Sequence, residues 1–178
     1  MHHATVQRRR KHHLPDEFYD GQNHVLYLTF CTANRGRWLE DPELAVISRD
    51  EILKLHSNHP VIGYCIMPDH IHLLLCNAGS KLGTIMNGFK GRTSRQVRET
   101  RPGLEVWQEG YWDHIVRREE GLYKVLQYIL LNPVRAGLVE YWWDHEWLGA
   151  PLLGEVGPDL FTLASPEDIM WRDLLLEE

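Results

Sequence analysis

Three cysteines among 178 residues, Cys31, Cys65 and Cys76, show no CxxC spacing, which leaves no basis for a disulfide framework or a cysteine zinc site. All three sit in apolar segments and read as reduced core thiols. Long hydrophobic runs are missing as well. Leu73–Cys76 and Ile129–Leu131 end far short of the roughly 20 residues that span a bilayer. No GxxxxGK[ST] phosphate loop is present, so a nucleotide cofactor is not expected. The opening MHHATVQRRRKHHLP is charged with no apolar stretch behind it, unlike a secretory signal, and a cytoplasmic location without membrane attachment is the expectation. With no internal repeat or low-complexity tract, the 43% of hydrophobic residues belong to one core.

Positive charge is in short supply overall, with a net charge of −6, but it is unevenly placed. Residues 140–178 hold ten acids and one Arg172, a balance of −9, so residues 1–139 carry +3. Within that part, Arg8, Arg9, Arg10 and Lys11 form a basic arm, and residues 81–101 carry a local +5 that includes Lys90, Arg92, Arg95 and Arg98. Such foci attract phosphates, although a solvated helix face also accounts for the second. The chain divides accordingly into a basic arm (1–19), one domain (20–148) and an acidic tail (149–178).

The pattern along the domain predicts a strand over 24–32, rich in β-branched and aromatic residues. A helix follows from Pro42 to about His56, with Asp41 as N-cap and Leu44, Ile47, Ile52 and Leu55 on its buried side. Val61–Met67 and His70–Cys76 read as a hairpin turned at Pro68-Asp69. Ser80 caps a helix with Leu82, Ile85, Met86 and Phe89 at one face, which Pro102-Gly103 ends. Strand-like pieces over 106–116 precede a helix that starts at Glu119-Glu120 and stops near Asn132-Pro133. The order β-α-β-β-α-β is that of the ferredoxin-like split βαβ. The expected fold is therefore α+β, an antiparallel sheet with helices on one face, plus one further helix and a C-terminal tail. Beyond Trp142 the pattern loosens into a loop over 149–158, and a short helix is expected after Ser165, with Ile169, Met170, Leu174 and Leu175 docking it.

His70-Ile71-His72 lies within a strand, whose period of two points both imidazoles to one face. Two such histidines can share a metal, yet the pattern alone is more often two satisfied polar residues. Tyr128 and Asn132, four apart on the last helix, project together and reach one spot. Taken singly, Tyr128 also fits a core aromatic and Asn132 a helix-terminal cap. Were a tyrosine to act as a nucleophile, Tyr64 and Tyr111 would rival Tyr128, and Tyr123 would be a weaker candidate. Trp107, Tyr111 and Trp112 can stack unpaired bases, whereas Trp142, Trp143 and Trp147 read as core. His114 ranks below these as a site residue.

Three motifs in order, Met67–Leu75 (MPDHIHLLL), Val106–Arg117 (VWQEGYWDHIVR) and Tyr128–Val139 (YILLNPVRAGLV), resemble the REP-associated tyrosine transposases, single-tyrosine members of the His-hydrophobe-His (HUH) nuclease superfamily. The similarity runs from about Arg8 to about Leu148, and departs at Leu130 and Leu131, where relatives commonly carry a histidine and an aromatic. The resemblance implies that His70, His72 and Asn132 bind Mg²⁺ or Mn²⁺, that Tyr128 is the nucleophile, and that single-stranded or hairpin DNA of repetitive extragenic palindromes is cut and rejoined. The intermediate it implies is a 5′-phosphotyrosine with a free 3′-OH, formed by a monomer or a homodimer. Arg8, Arg9, Arg10, Lys11, Lys90, Arg92, Arg95 and Arg98 are the expected contacts to the DNA backbone. The alternative is a non-cleaving nucleic-acid-binding protein of the same fold; a small-molecule hydrolase using HxH fits poorly with this length.

Overall fold

The computed structural model describes residues 22–117, 120–154 and 156–161. Strand β1 (Val25–Cys31) alternates Leu26, Leu28 and Phe30 on one face with Tyr27, Thr29 and Cys31 on the other. Helix α1 (Pro42–His56) begins as its sequence dictates. The Asp41 carboxylate accepts a hydrogen bond from the Glu43 amide at 3.0 Å, and Pro42 sits where the helix needs no donor. Strands β2 (Val61–Met67) and β3 (His70–Cys76) form the hairpin with the predicted bounds. Helix α2 (Leu82–Thr100) buries Leu82, Ile85, Met86 and Phe89. Its N-cap is Lys81 rather than Ser80, because the Ser80 carbonyl accepts from Asn77 Nδ2 at 3.0 Å and belongs to the preceding turn.

Two further strands and two further α-helices follow, β4 (Trp112–Ile115), α3 (Leu122–Leu130), α4 (Asn132–Arg135) and β5 (Leu148–Gly149), with short 3-10 turns between elements. The strands form one sheet in the order β4-β1-β3-β2-β5 with every neighbour antiparallel, which is the split βαβ arrangement with an added edge strand. Three elements depart from the expectation. Helix α3 starts at Leu122 instead of Glu120, behind Gly121, whose φ of 77° turns the chain into the helix. The helical course does not stop at Pro133; it breaks at Leu131 and runs one more turn as α4, with Pro133 in the first turn, where its missing N–H costs nothing. The stretch expected as loop contributes β5, held to β2 through Cys65 and Tyr64.

The two faces of the sheet carry separate cores. Helices α1 and α2 cover Leu26, Leu28, Phe30, Ile71, Leu73 and Leu75. There Phe30, Phe89 and Trp107 meet edge to face or tilted with centroids 5.3 to 5.9 Å apart, and the Trp107 indole donates to buried Thr93 at 2.7 Å. On the other face, Leu122, Leu126, Ile129 and Leu130 of α3 pack on Ile62, Cys65, Met67 and Leu74. Gly63 permits that approach, since a Cβ there would lie 2.2 Å from Leu126 Cδ1. Ala150 and Leu160 are buried in this second core, with Leu152 and Leu153 half-buried against it. Trp142 is buried as expected, but Trp143 is exposed and stacks on Tyr141 instead. The basic arm and the helix expected after Ser165 lie outside the described residues. Among the described residues, no helix is long and apolar enough to cross a membrane.

Candidate active site

Helix α3 covers only part of its sheet face, and the uncovered end is where polar side chains gather. Strand parity places them: in β3, Ile71, Leu73 and Leu75 enter the α1/α2 core, so His70 and His72 point to the α3 side. Their Nε2 atoms stand 3.1 Å apart. The other nitrogen of each ring is already engaged. His70 Nδ1 donates to Asp69 Oδ1 at 2.6 Å, while His72 Nδ1 lies 2.9 Å from the Tyr27 hydroxyl and 3.0 Å from Thr29 Oγ1. Outer partners of this kind fix the orientation of both rings and turn the Nε2 atoms toward one another. His72 is buried and uncharged: burial, helped by the neighbouring His70 and the Arg135 cation, pushes its pKa down to about 3, against a hydrogen bond with Asn132 that raises it.

Asn132 is hydrogen-bonded with His72, and its Nδ2 donates to the carbonyls of Tyr128 at 3.0 Å and Ile129 at 3.3 Å. Asn132 thus caps α3 and faces the histidine at once. Tyr128 stands beside them, half exposed at 48%, its ring 6.2 Å from those of both His72 and Tyr27. The rivals are elsewhere: Tyr64 and Tyr111 pack against the α1/α2 core.

The donor set suits a divalent ion. Among the described residues, no three His, Cys, Asp or Glu side chains converge. The two imidazoles and the Asn132 amide do, and the Nε2 separation of 3.1 Å is one that two metal–nitrogen bonds of about 2.1 Å span. Imidazole favours Mn²⁺ over Mg²⁺, though not decisively.

Sequence reasoning missed Tyr27, Thr29 and Arg135. The first two reach His72 only through the register of β1 on β3, which pairs Thr29 with His72 and Tyr27 with Leu74. Burial pushes the Tyr27 hydroxyl up to about 12 despite a bond from Thr29. The Arg135 guanidinium lies 4.1 Å over the Tyr128 ring. Of the aromatics expected to stack bases, Trp107 is core, but Trp112 is 45% exposed on the histidine side, edge-on to Tyr27 and parallel to His114. His114 therefore shares this face, paired with Glu120.

The expected cationic contacts are spread differently. Helix α2 lies on the opposite face of the sheet from the histidines. Lys90 turns inward, donating to the carbonyls of Gln108 and Gly110, and burial lowers its pKa to about 8. Arg92 bonds the buried Glu51 carboxylate at 2.6 Å. Arg95 and Arg98 are exposed. Arg8, Arg9, Arg10 and Lys11 lie outside the described residues.

Comparison with known proteins places this arrangement. A Haemophilus influenzae protein named as a REP-associated tyrosine transposase is 29% identical over 97 residues, which cover 48% of this chain and 55% of that protein. An uncharacterized protein of the same organism is 26% identical over 94 residues, covering 40% and 52%. The chain thus spans about half the length of the curated relatives it matches. The solved structure of a REP-associated tyrosine transposase bound to a REP hairpin superposes with a TM-score of 0.60 at 18% identity, over 80% of this chain and 82% of that one, and shares its fold. The sequence model of the family described as "Transposase IS200 like" matches residues 21–131, well over half of the chain and inclusive of His70, His72 and Tyr128. The chain belongs to the IS200-like transposase family.

Proposed function

We propose that this transposase cuts and rejoins single-stranded DNA through a covalent link to Tyr128, acting at hairpins of the REP type. The observation that carries the reading is the placing of a half-exposed Tyr128 ring 6.2 Å from His72 of the same chain, at the mouth of the face where the two Nε2 atoms meet. The hairpin substrate is supported by the names of the relative and of the structural neighbour.

In this reading His70, His72 and Asn132 hold Mg²⁺ or Mn²⁺, which when bound polarises the scissile phosphate and offsets its charge. Asp69, Tyr27 and Thr29 keep the two imidazoles in the required orientation. Tyr128 Oη forms a bond to phosphorus as the P–O3′ bond breaks. The phenol gives up one proton and O3′ takes up one, so no co-reactant is consumed, and the phosphodiester energy stays in the phosphotyrosine for rejoining. Trp112 offers its exposed face to an unpaired base beside the cut.

Incubation of labelled hairpin DNA with the protein and Mn²⁺ or Mg²⁺, followed by a denaturing gel, tests the reading. A covalent band that requires metal and vanishes in Tyr128→Phe is expected, because that change removes only the attacking oxygen. Hairpin binding with no adduct in the wild type would establish the non-cleaving alternative instead.

A further inference from the structure

Arg135 carries a charge beside Tyr128 that the proposed chemistry has not used. It ends α4, one turn beyond the break at Leu131, and the break is what brings it back over α3. Its guanidinium carbon lies 4.1 Å above the Tyr128 ring, and one of its N–H groups donates to the Tyr128 carbonyl. Both contacts hold the tyrosine from the same side. Other cations near the sheet are neutralised within the fold: Arg35 pairs with Asp69 at 3.2 Å, Arg92 with Glu51 at 2.6 Å, Arg101 with Asp41 at 2.8 Å. Among the described residues, no carboxylate pairs with Arg135, which is exposed. Through the Tyr128 ring, itself 6.2 Å from the His72 ring, the guanidinium adjoins the histidines.

An uncompensated guanidinium beside imidazoles, phenols and an amide is an anion site, and a planar fork of donors matches two oxygens of a phosphate. We propose that Arg135 is a catalytic residue that binds a non-bridging oxygen of the phosphate attacked by Tyr128 while holding the tyrosine ring against that phosphate. The proposal rests on the strand-transfer reading given above. Negative charge on the non-bridging oxygens grows as Oη closes on phosphorus, so the contact strengthens in the transition state and acts on rate more than on affinity. No bond to Arg135 forms or breaks, and it keeps its proton throughout.

Single-turnover adduct formation by the full chain with Mn²⁺ provides the test, using two hairpins. One has an ordinary scissile phosphate; the other has a methylphosphonate there, which replaces one charged oxygen by a neutral methyl. On the ordinary hairpin, Arg135→Ala is expected to slow adduct formation on the order of 10²-fold, with hairpin affinity changed less than about threefold. Arg135→Lys, which keeps charge without the fork, should lose roughly tenfold. On the methylphosphonate the Arg135→Ala deficit should shrink to about threefold or less, since the charge it answers is gone. A role confined to packing Tyr128 predicts the same deficit on both hairpins, and that result overturns the proposal, as does an Arg135→Ala protein as fast as wild type. Should Arg135→Ala fail to fold by thermal melt, Arg135→Gln and Arg135→Lys carry the same two-substrate comparison. A wild type that forms no adduct with the ordinary hairpin overturns the strand-transfer reading and this proposal with it; an adduct lost in Tyr128→Phe but indifferent to Arg135 overturns this proposal alone.

Discussion

The two faces of the sheet are built from the same strands yet differ in what covers them. Toward α1 and α2 the face is closed: β3 contributes Ile71, Leu73 and Leu75, all fully buried, and the buried carboxylate of Glu51 is bonded by Lys54, Arg92 and Gln96. Toward α3 the same strand contributes Leu74 and Cys76 to the apolar core at one end and, at the other, a buried His72 and a partly exposed His70. One register therefore separates stability from chemistry by the period of two, and substitutions on the two sides should fail in different ways.

The largest effect is expected on the open side. His70→Ala or His72→Ala should bring adduct formation below detection while hairpin binding, measured by titration, stays within a few-fold, because phosphate contacts elsewhere dominate affinity. Asn132→Ala should act likewise but less completely, an amide oxygen being a weaker ligand than imidazole. On the closed side, Phe89→Ala deletes a fully buried ring that meets Phe30 and Trp107 and should cost about 3–5 kcal/mol in chemical denaturation, leaving the adduct rate per folded molecule unchanged.

These two sides were not equally legible in the sequence. The hairpin, α1 and the buried stripe of α2 follow from local signals: Pro68-Asp69 at the turn, Asp41-Pro42 at the helix start, and the spacing of Leu82, Ile85, Met86 and Phe89. That His70 and His72 share one strand face and that Tyr128 and Asn132 project together was readable from periodicity, whereas their roles came only from the resemblance to the tyrosine transposases. What surrounds them was not readable. Tyr27 and Thr29 reach His72 through a strand register, β5 exists only as two residues paired to β2, and Lys90 is turned inward by the carbonyls of a loop far along the chain. The side of the sheet on which the basic helix lies is likewise a tertiary fact. Its Arg92 proves to be half of a buried ion network, which no charge count distinguishes from a phosphate contact.

That network sharpens the comparison through pH. Burial alone would raise the Glu51 pKa, but hydrogen bonds from Lys54, Arg92 and Gln96 hold it at about 2, below its ordinary 4.5. A depressed carboxylate stabilises the fold above its unfolded pKa and loses that contribution as pH falls through the folded one. Glu51→Gln should therefore lower stability at pH 7 by about 1–3 kcal/mol and flatten the acid limb between roughly pH 4.5 and 2, as thermal melts across that range would show. Adduct formation at pH 7 should not change in the folded variant. The smallest effect belongs to Trp112→Ala, which should weaken single-strand binding by about 1–2 kcal/mol in an affinity titration and leave the melting temperature nearly unaltered, given its exposure.

Peptide mapping of the covalent product bears most directly on the claim that the open face is the reaction centre. Digestion of the adduct with trypsin and nuclease should leave the nucleotide on the peptide spanning residues 125–135, at Tyr128, in a yield that depends on added Mn²⁺ or Mg²⁺. A nucleotide found instead on the peptide that carries Tyr27, the other hydroxyl at His72, or on Tyr64 or Tyr111 beneath the opposite face, would contradict it.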